Sequence, residues 1–164
     1  MKNLIVIRHA KSSWDDPALA DIERPLNKRG HRDAPFMGSV LKFREAIPDR
    51  IVSSPAKRAL ETARTIAREV GYATENIDVR GSLYLAEQSI LIELIQALDD
   101  TWNRVYLVGH NPEFTELVDC LAGEDIGNLP TCGLASIEFK VDSWAHAMPG
   151  AGRLAWLDYP KRHL

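Results

Sequence analysis

The chain has 164 residues, 45% of them hydrophobic and 26% charged, an ordinary globular mixture in a length that suits one domain with a real core. A formal net charge of −3 implies no broad basic face for nucleic acid, and the two cysteines, Cys120 and Cys132, have neither CxxC nor metal-type spacing, which favours a reduced compartment over a disulfide scaffold. Only four apolar residues stand between Lys2-Asn3 and Arg8, too few for a signal-type apolar region, and nothing approaches a membrane span, so a soluble cytoplasmic protein with no membrane partner is the expectation.

The first predicted element is a strand over 3–7. Its run Leu4-Ile5-Val6-Ile7 is uniformly apolar, as in a buried strand, and it hands Arg8 and His9 to the end of a sheet. Residues 10–30 are polar, with Pro17 and Pro25 as breakers, and read as a long loop of the kind that is usually functional. Residues 31–45 carry Phe36, Met37, Val40 and Leu41 at helical spacing. A strand follows at 50–53. Ser54-Pro55 then reads as N-cap and first helical residue of a helix whose core face is Leu60, Ala63, Ala67 and Val70 and which ends at Gly71.

Residues 77–79 read as a weak strand and 88–99 as a helix with Leu91, Leu94, Ile95 and Leu98 on one stripe. A second buried strand over 104–108 delivers Gly109 and His110. Asn111-Pro112 repeats the cap-then-proline start of a helix through Phe114, Leu117, Val118 and Leu121, and 122–133 form a glycine-containing loop. The alternation over 134–141, and a last strand over 153–158, place two strands towards a sheet margin. Strands alternating with helices predict a three-layer α/β/α sandwich, a mostly parallel central sheet covered on both faces, in one domain over 1–164.

Ligands in such sheets sit beyond the carboxyl ends of the strands, where Arg8, His9, Ser53, Ser54, Gly109 and His110 all fall. Arg8 and Arg58 are candidate phosphate binders, because a guanidinium pairs bidentately with phosphate oxygens. His9 is the candidate nucleophile, since a neutral imidazole nitrogen can attack phosphorus once its other nitrogen is held by an acceptor. His110, protonated, would donate to the phosphoryl oxygens. Any one of these residues alone reads as a solvated strand end, a surface helix charge or a loop residue; the case rests on their sharing one rim. No phosphate-binding lysine loop, GxGxxG, GxSxG or metal-spaced ligand set occurs, so no cofactor and no metal are expected.

Taken in order, these blocks resemble the histidine phosphatase (phosphoglycerate mutase-like) superfamily. Arg8-His9-Ala10 resembles its Arg-His-Gly signature, with Ala for Gly, and Asp15 stands where Asn is frequent. Leu26 to Ala34 is similar to its Leu-Thr-x-x-Gly block, Ser53 to Ala63 to its second-arginine block, Val108 to Asn111 to its second-histidine block, and Thr131 to Phe139 also fits. The Arg-His-Ala-Lys-Ser opening and the small size look most like the SixA-type phosphohistidine phosphatases. The resemblance implies a phosphoglycerate mutase-like fold, phosphorylation of His9, and a phosphate pocket completed by Arg8, Arg58 and His110. One candidate partner is a histidine-phosphorylated protein. The alternatives are a small-molecule phosphomonoesterase acting on a phosphorylated metabolite, or a phosphoryl-binding module without turnover. One departure stands out: Leu85 occupies the place of the glutamate that serves many relatives as general acid. Asp15, Asp21, Glu87 and Glu113 are the nearest replacements by segment.

Overall fold

Strand β1, Lys2–Arg8, lies inside a six-stranded sheet of order β3-β2-β4-β1-β5-β6, in a computed structural model that describes residues 1–164. In chain order the other elements are α1 (Lys28–Phe43), β2 (Arg50–Ser53), α2 (Lys57–Val70), β3 (Asp78–Val79), α3 (Gln88–Gln96), β4 (Arg104–Gly109), α4 (Glu113–Ala122), β5 (Leu134–Phe139) and β6 (Gly152–Asp158). Strands β1 to β4 are parallel to one another, while β5 runs antiparallel to β1 and pairs antiparallel with β6.

The uniform apolarity of β1 follows from helices covering both faces. Leu4 and Val6 join one buried cluster with α3 and α4 side chains such as Leu91, Ile95, Phe114 and Leu117. Ile5 and Ile7 point the other way, into a second cluster with Met37 and Leu41 of α1 and Ala63 and Ile66 of α2. Strand β4 divides alike, with Val105 and Leu107 on one face and Tyr106 and Val108 on the other. The sheet is therefore a rigid floor, and the carboxyl ends of β1, β2 and β4 lie side by side: Arg8 is in register with Gly109, and Ser53 with Val108.

Several boundaries differ from the sequence expectations for identifiable reasons. Helix α1 starts at Lys28 rather than 31, because the Asn27 side chain caps it, accepting from the Gly30 amide at 2.9 Å. Gly30 lies so close to the loop that a Cβ there would come within 2.2 Å of the Lys11 carbonyl oxygen. Helix α2 starts at Lys57, with Ala56 rather than Ser54 as its cap. Helix α3 ends at Gln96, three residues early, in a turn closed by Leu98 bonding to Ile95. Of the apolar positions at helical spacing in α1, Phe36 is 41% exposed, because α1 packs on α2 through Met37, Ala34 and Leu41 instead.

Candidate active site

Four predicted residues arrive at the site on different elements. Arg8 ends β1, and His9 follows it. Arg58 sits in the first turn of α2, and His110 follows β4. His9, Arg58 and His110 are all buried. The rings of His9 and His110 lie 5.3 Å apart between centroids, tilted by 56°. Arg8, His9 and Arg58 line one pocket of about 170 Å³, together with Lys11, Ser12, Trp14, Arg24 and Thr131. A larger cavity of about 320 Å³ lies elsewhere, between α1 and the last residues of the chain, and none of the four lines it.

His9 is held by its own neighbour. Its Nδ1 lies 2.7 Å from the Ala10 carbonyl oxygen. A carbonyl only accepts, so Nδ1 carries the hydrogen and Nε2 keeps its lone pair. The Ala10 peptide is itself fixed: its amide donates to Thr62 Oγ1 at 3.0 Å, and that hydroxyl donates to the Arg58 carbonyl at 2.8 Å. One buried threonine thus ties the His9–Ala10 backbone to the turn that carries Arg58. Burial pushes the His9 pKa down to about 3, against the Ala10 hydrogen bond; the Arg58 and Arg8 guanidiniums, and His110 once it takes up a proton, push it the same way as burial. The ring is neutral near pH 7.

Strand β4 delivers His110 through Gly109, where the chain passes against a ring; a Cβ there would lie 2.6 Å from Phe114 Cζ. His110 Nε2 is 2.7 Å from Ser54 Oγ, and Nδ1 is buried with no partner in the protein. Its pKa falls to about 4, first through burial and then through Arg58. His110 is therefore neutral near pH 7, which corrects the protonated ring expected from the sequence. The cause is that it lies inside the molecule beside a guanidinium, with Asp21 as the one anion that opposes the shift.

Arg58 is clasped from above. Its Nη1 donates to the Asp21 carbonyl at 2.7 Å and its Nη2 pairs with Asp21 Oδ2 at 3.0 Å. Tyr84 donates its hydroxyl to the same oxygen at 2.6 Å, and Arg24 pairs with Oδ1 at 3.0 Å. Arg24 in turn reaches Ser12 Oγ at 2.6 Å and stacks beneath Trp14, its guanidinium carbon 3.2 Å from the ring centroid. Arg8 donates through Nη1 to the Leu129 carbonyl at 2.9 Å, while its Nε is buried without a partner.

Of the four carboxylates raised as replacements for the missing acid, Asp21 alone bonds to a residue of the site. The hydrogen bond from Tyr84, then those from Arg58 and Arg24, hold its carboxyl down to about 2, so it stays ionised and is not poised to give a proton. Asp15 and Glu87 are exposed, and Glu113 contributes its backbone carbonyl to Gln88. Leu85 itself is 76% exposed and adopts a left-handed φ of 55°. The sequence did not reveal Thr62 or the paired role of Ser54. The signal for Thr62 lay in the spacing, since it stands four residues after Arg58 on one helix face.

The fold and the site define a class: a phosphoglycerate mutase-like α/β protein with an arginine- and histidine-lined pocket at the strand ends. Comparison with known proteins gives the family. Residues 4–84 match the model of the histidine phosphatase superfamily, branch 1. An uncharacterised chloroplastic protein of Arabidopsis thaliana is 32% identical over 163 residues, covering 94% of this chain and 74% of its own length. An uncharacterised protein of Mycobacterium tuberculosis is also 32% identical, over 94% of this chain and 100% of its own. Among solved structures, a proposed phosphohistidine phosphatase, SixA, of Agrobacterium tumefaciens is 28% identical and superposes with a TM-score of 0.81 over 97% of this chain and 98% of its own. A protein histidine phosphatase SixA complexed with tungstate shares the fold at 23% identity, with a TM-score of 0.86 and 99% of both chains covered. The chain belongs to the histidine phosphatase superfamily and is of the SixA type; it is a phosphatase. None of its helices is long and apolar enough to cross a membrane.

Proposed function

We propose that residues 1–164 form one catalytic domain that hydrolyses phosphoryl groups through a phosphorylated His9, with protein-borne phosphohistidine as the substrate. The observation that carries this reading is the state of His9: a neutral ring, Nδ1–H held by the Ala10 carbonyl at 2.7 Å, Nε2 without a protein partner, and guanidinium groups in the same pocket. Nε2 attacks phosphorus as the bond to the leaving group breaks. The ring becomes an imidazolium that keeps Nδ1–H on the Ala10 carbonyl. Arg8 and Arg58 neutralise and hold the phosphoryl oxygens, and His110 donates a hydrogen bond to them. Water then attacks the phosphohistidine, phosphate departs, and Nε2 regains its lone pair.

The choice of substrate rests on the leaving group. Leu85 offers no proton where relatives carry glutamate, and Asp21 is held ionised. An alkoxide would leave slowly from such a site. A phosphoramidate leaves readily, because its imidazole takes a proton from solvent. The Agrobacterium tumefaciens structure this chain resembles is a proposed phosphohistidine phosphatase, and that likeness supports the reading. A nitrogen nucleophile also needs no metal-activated water. The test is a direct comparison of a phosphohistidine-bearing protein with a panel of phosphorylated metabolites. The reading expects acid-labile label on His9 and a preference for the phosphoramidate. Faster turnover of a metabolite would replace it with a small-molecule phosphatase.

A further inference from the structure

His110 holds one of the few buried polar atoms in the molecule with no partner, its Nδ1. Such groups carry a cost unless something meets them, and native proteins retain few without cause. The other nitrogen, Nε2, is 2.7 Å from Ser54 Oγ, and both residues are buried. Ser54 Oγ also accepts the Ala56 amide at 3.2 Å. A hydroxyl has one hydrogen and two acceptor sites. With one acceptor site taken by Ala56, the hydroxyl either donates its hydrogen to His110 Nε2 or accepts a hydrogen from it. No other donor or acceptor in the protein bonds to this hydroxyl, so its hydrogen has one place to go if it is to be used: the lone pair of Nε2. A neutral imidazole that accepts at Nε2 carries its own hydrogen on Nδ1.

We infer that Ser54 is a positioning residue that fixes His110 as the Nδ1–H tautomer, so that this ring serves the phosphoryl group as a neutral donor through Nδ1. This rests on the phosphatase reading above for what the donor serves, though not for the tautomer itself. The charges facing the ring fit it. His9 and Arg8 come from the end of β1 and Arg58 from α2, Asp21 lies on the loop over α2, and Tyr84 meets the ring edge-on at 5.5 Å between centroids. Two guanidiniums against one carboxylate disfavour a second positive charge here. A ring that stays neutral can donate from one nitrogen only, so which one becomes decisive.

Long-range proton–nitrogen correlation spectra of the isotopically labelled protein at about pH 7.5, where a neutral ring is required, report which nitrogen of His110 bears hydrogen. The expected signature is Nδ1–H in the wild type, lost or mixed with Nε2–H in Ser54→Ala, and regained in Ser54→Thr. Turnover of an aryl phosphate by Ser54→Ala should fall about tenfold to a hundredfold with KM within about twofold, the size of losing one aligned donor. Nε2–H in the wild type overturns the assignment, as does a Ser54→Ala protein that keeps Nδ1–H, or one that loses it without losing turnover. The wild-type spectrum is decisive even if a variant fails to fold. A wild type with the Nδ1–H signature and no phosphatase activity would instead sink the phosphatase reading and leave the tautomer assignment standing.

Discussion

The floor of the pocket and its roof are held by different forces. The floor is the ends of β1, β2 and β4, whose side chains from Leu4 to Ile7 and Val105 to Val108 are fully buried, with the backbone in continuous parallel register. The roof is the loop between β1 and α1, whose residues from Trp14 to Glu23 are mostly exposed and which closes over the site through Asp21, Arg24 and one tyrosine hydroxyl. A floor made by burial fixes atoms to within a rotamer. A roof made by partly exposed ion pairs is worth little in stability and yields to a competing anion. The proposed chemistry accordingly sits on the floor. Arg58 belongs to both regions, with its backbone on the floor and its guanidinium in the roof's grasp.

That contrast can be broken from either side. The largest effect is expected on the floor: His9→Ala should reduce hydrolysis of an activated aryl phosphate by at least about a thousandfold, since it removes the proposed nucleophile. Turnover within tenfold of wild type would show that another group does the chemistry. Ile7→Ala deletes a fully buried side chain beside the site and should cost about 2–5 kcal/mol in denaturant unfolding, against less than about 1 kcal/mol for Trp14→Ala in the roof. Comparable losses would erase the distinction between the two regions.

Thr62→Val keeps the shape but strands the Ala10 amide and frees the Arg58 carbonyl. A kcat loss of about tenfold, with Thr62→Ser restoring it, is the expected result. Asp21→Asn weakens the clasp on Arg58. It should change the KM for an aryl phosphate, or inhibition by vanadate, by about threefold to tenfold with little change in kcat, since the pair is half-open to solvent on its Asp21 side. A loss confined to kcat would place Asp21 in the chemistry.

The smallest effect concerns pH. His9 and His110 have folded-state values of about 3 and 4, below their ordinary value of 6.5. In the unfolded chain they take up protons first as pH falls. Their neutral burial therefore favours folding fully above about 6.5, and that contribution declines through the window from there to about 4 and 3. Activity should stay level from pH 7 down to about 5, provided the protein remains folded, and an acid limb centred near 6.5 would contradict neutral burial of these rings.

Much of this was legible beforehand because it depends on local pattern. The unbroken apolar runs at Leu4–Ile7 and Val105–Val108 identify central parallel strands, and polar residues directly after them have nowhere to go but the ligand end of the sheet. Gly71 terminates α2 in the left-handed conformation that its type favours. Ser54 shows where local reading stops. Ser-Pro before a helix is a sound cap signal, yet the hydroxyl reaches a histidine 56 positions away, and no window along the chain contains that contact. Asp21 is similar: its partners Arg58 and Tyr84 lie 37 and 63 residues on.

By itself, then, the sequence determined the order of strands and helices, the two-sided burial of the sheet and which side chains reach its rim, because alternation, capping and apolar runs act over a few residues. The tertiary structure alone decided the charge state of His110, the partner of each imidazole nitrogen and the fate of the carboxylate that closes over Arg58. Those depend on desolvation and on hydrogen bonds between segments that only folding brings within 3 Å of one another.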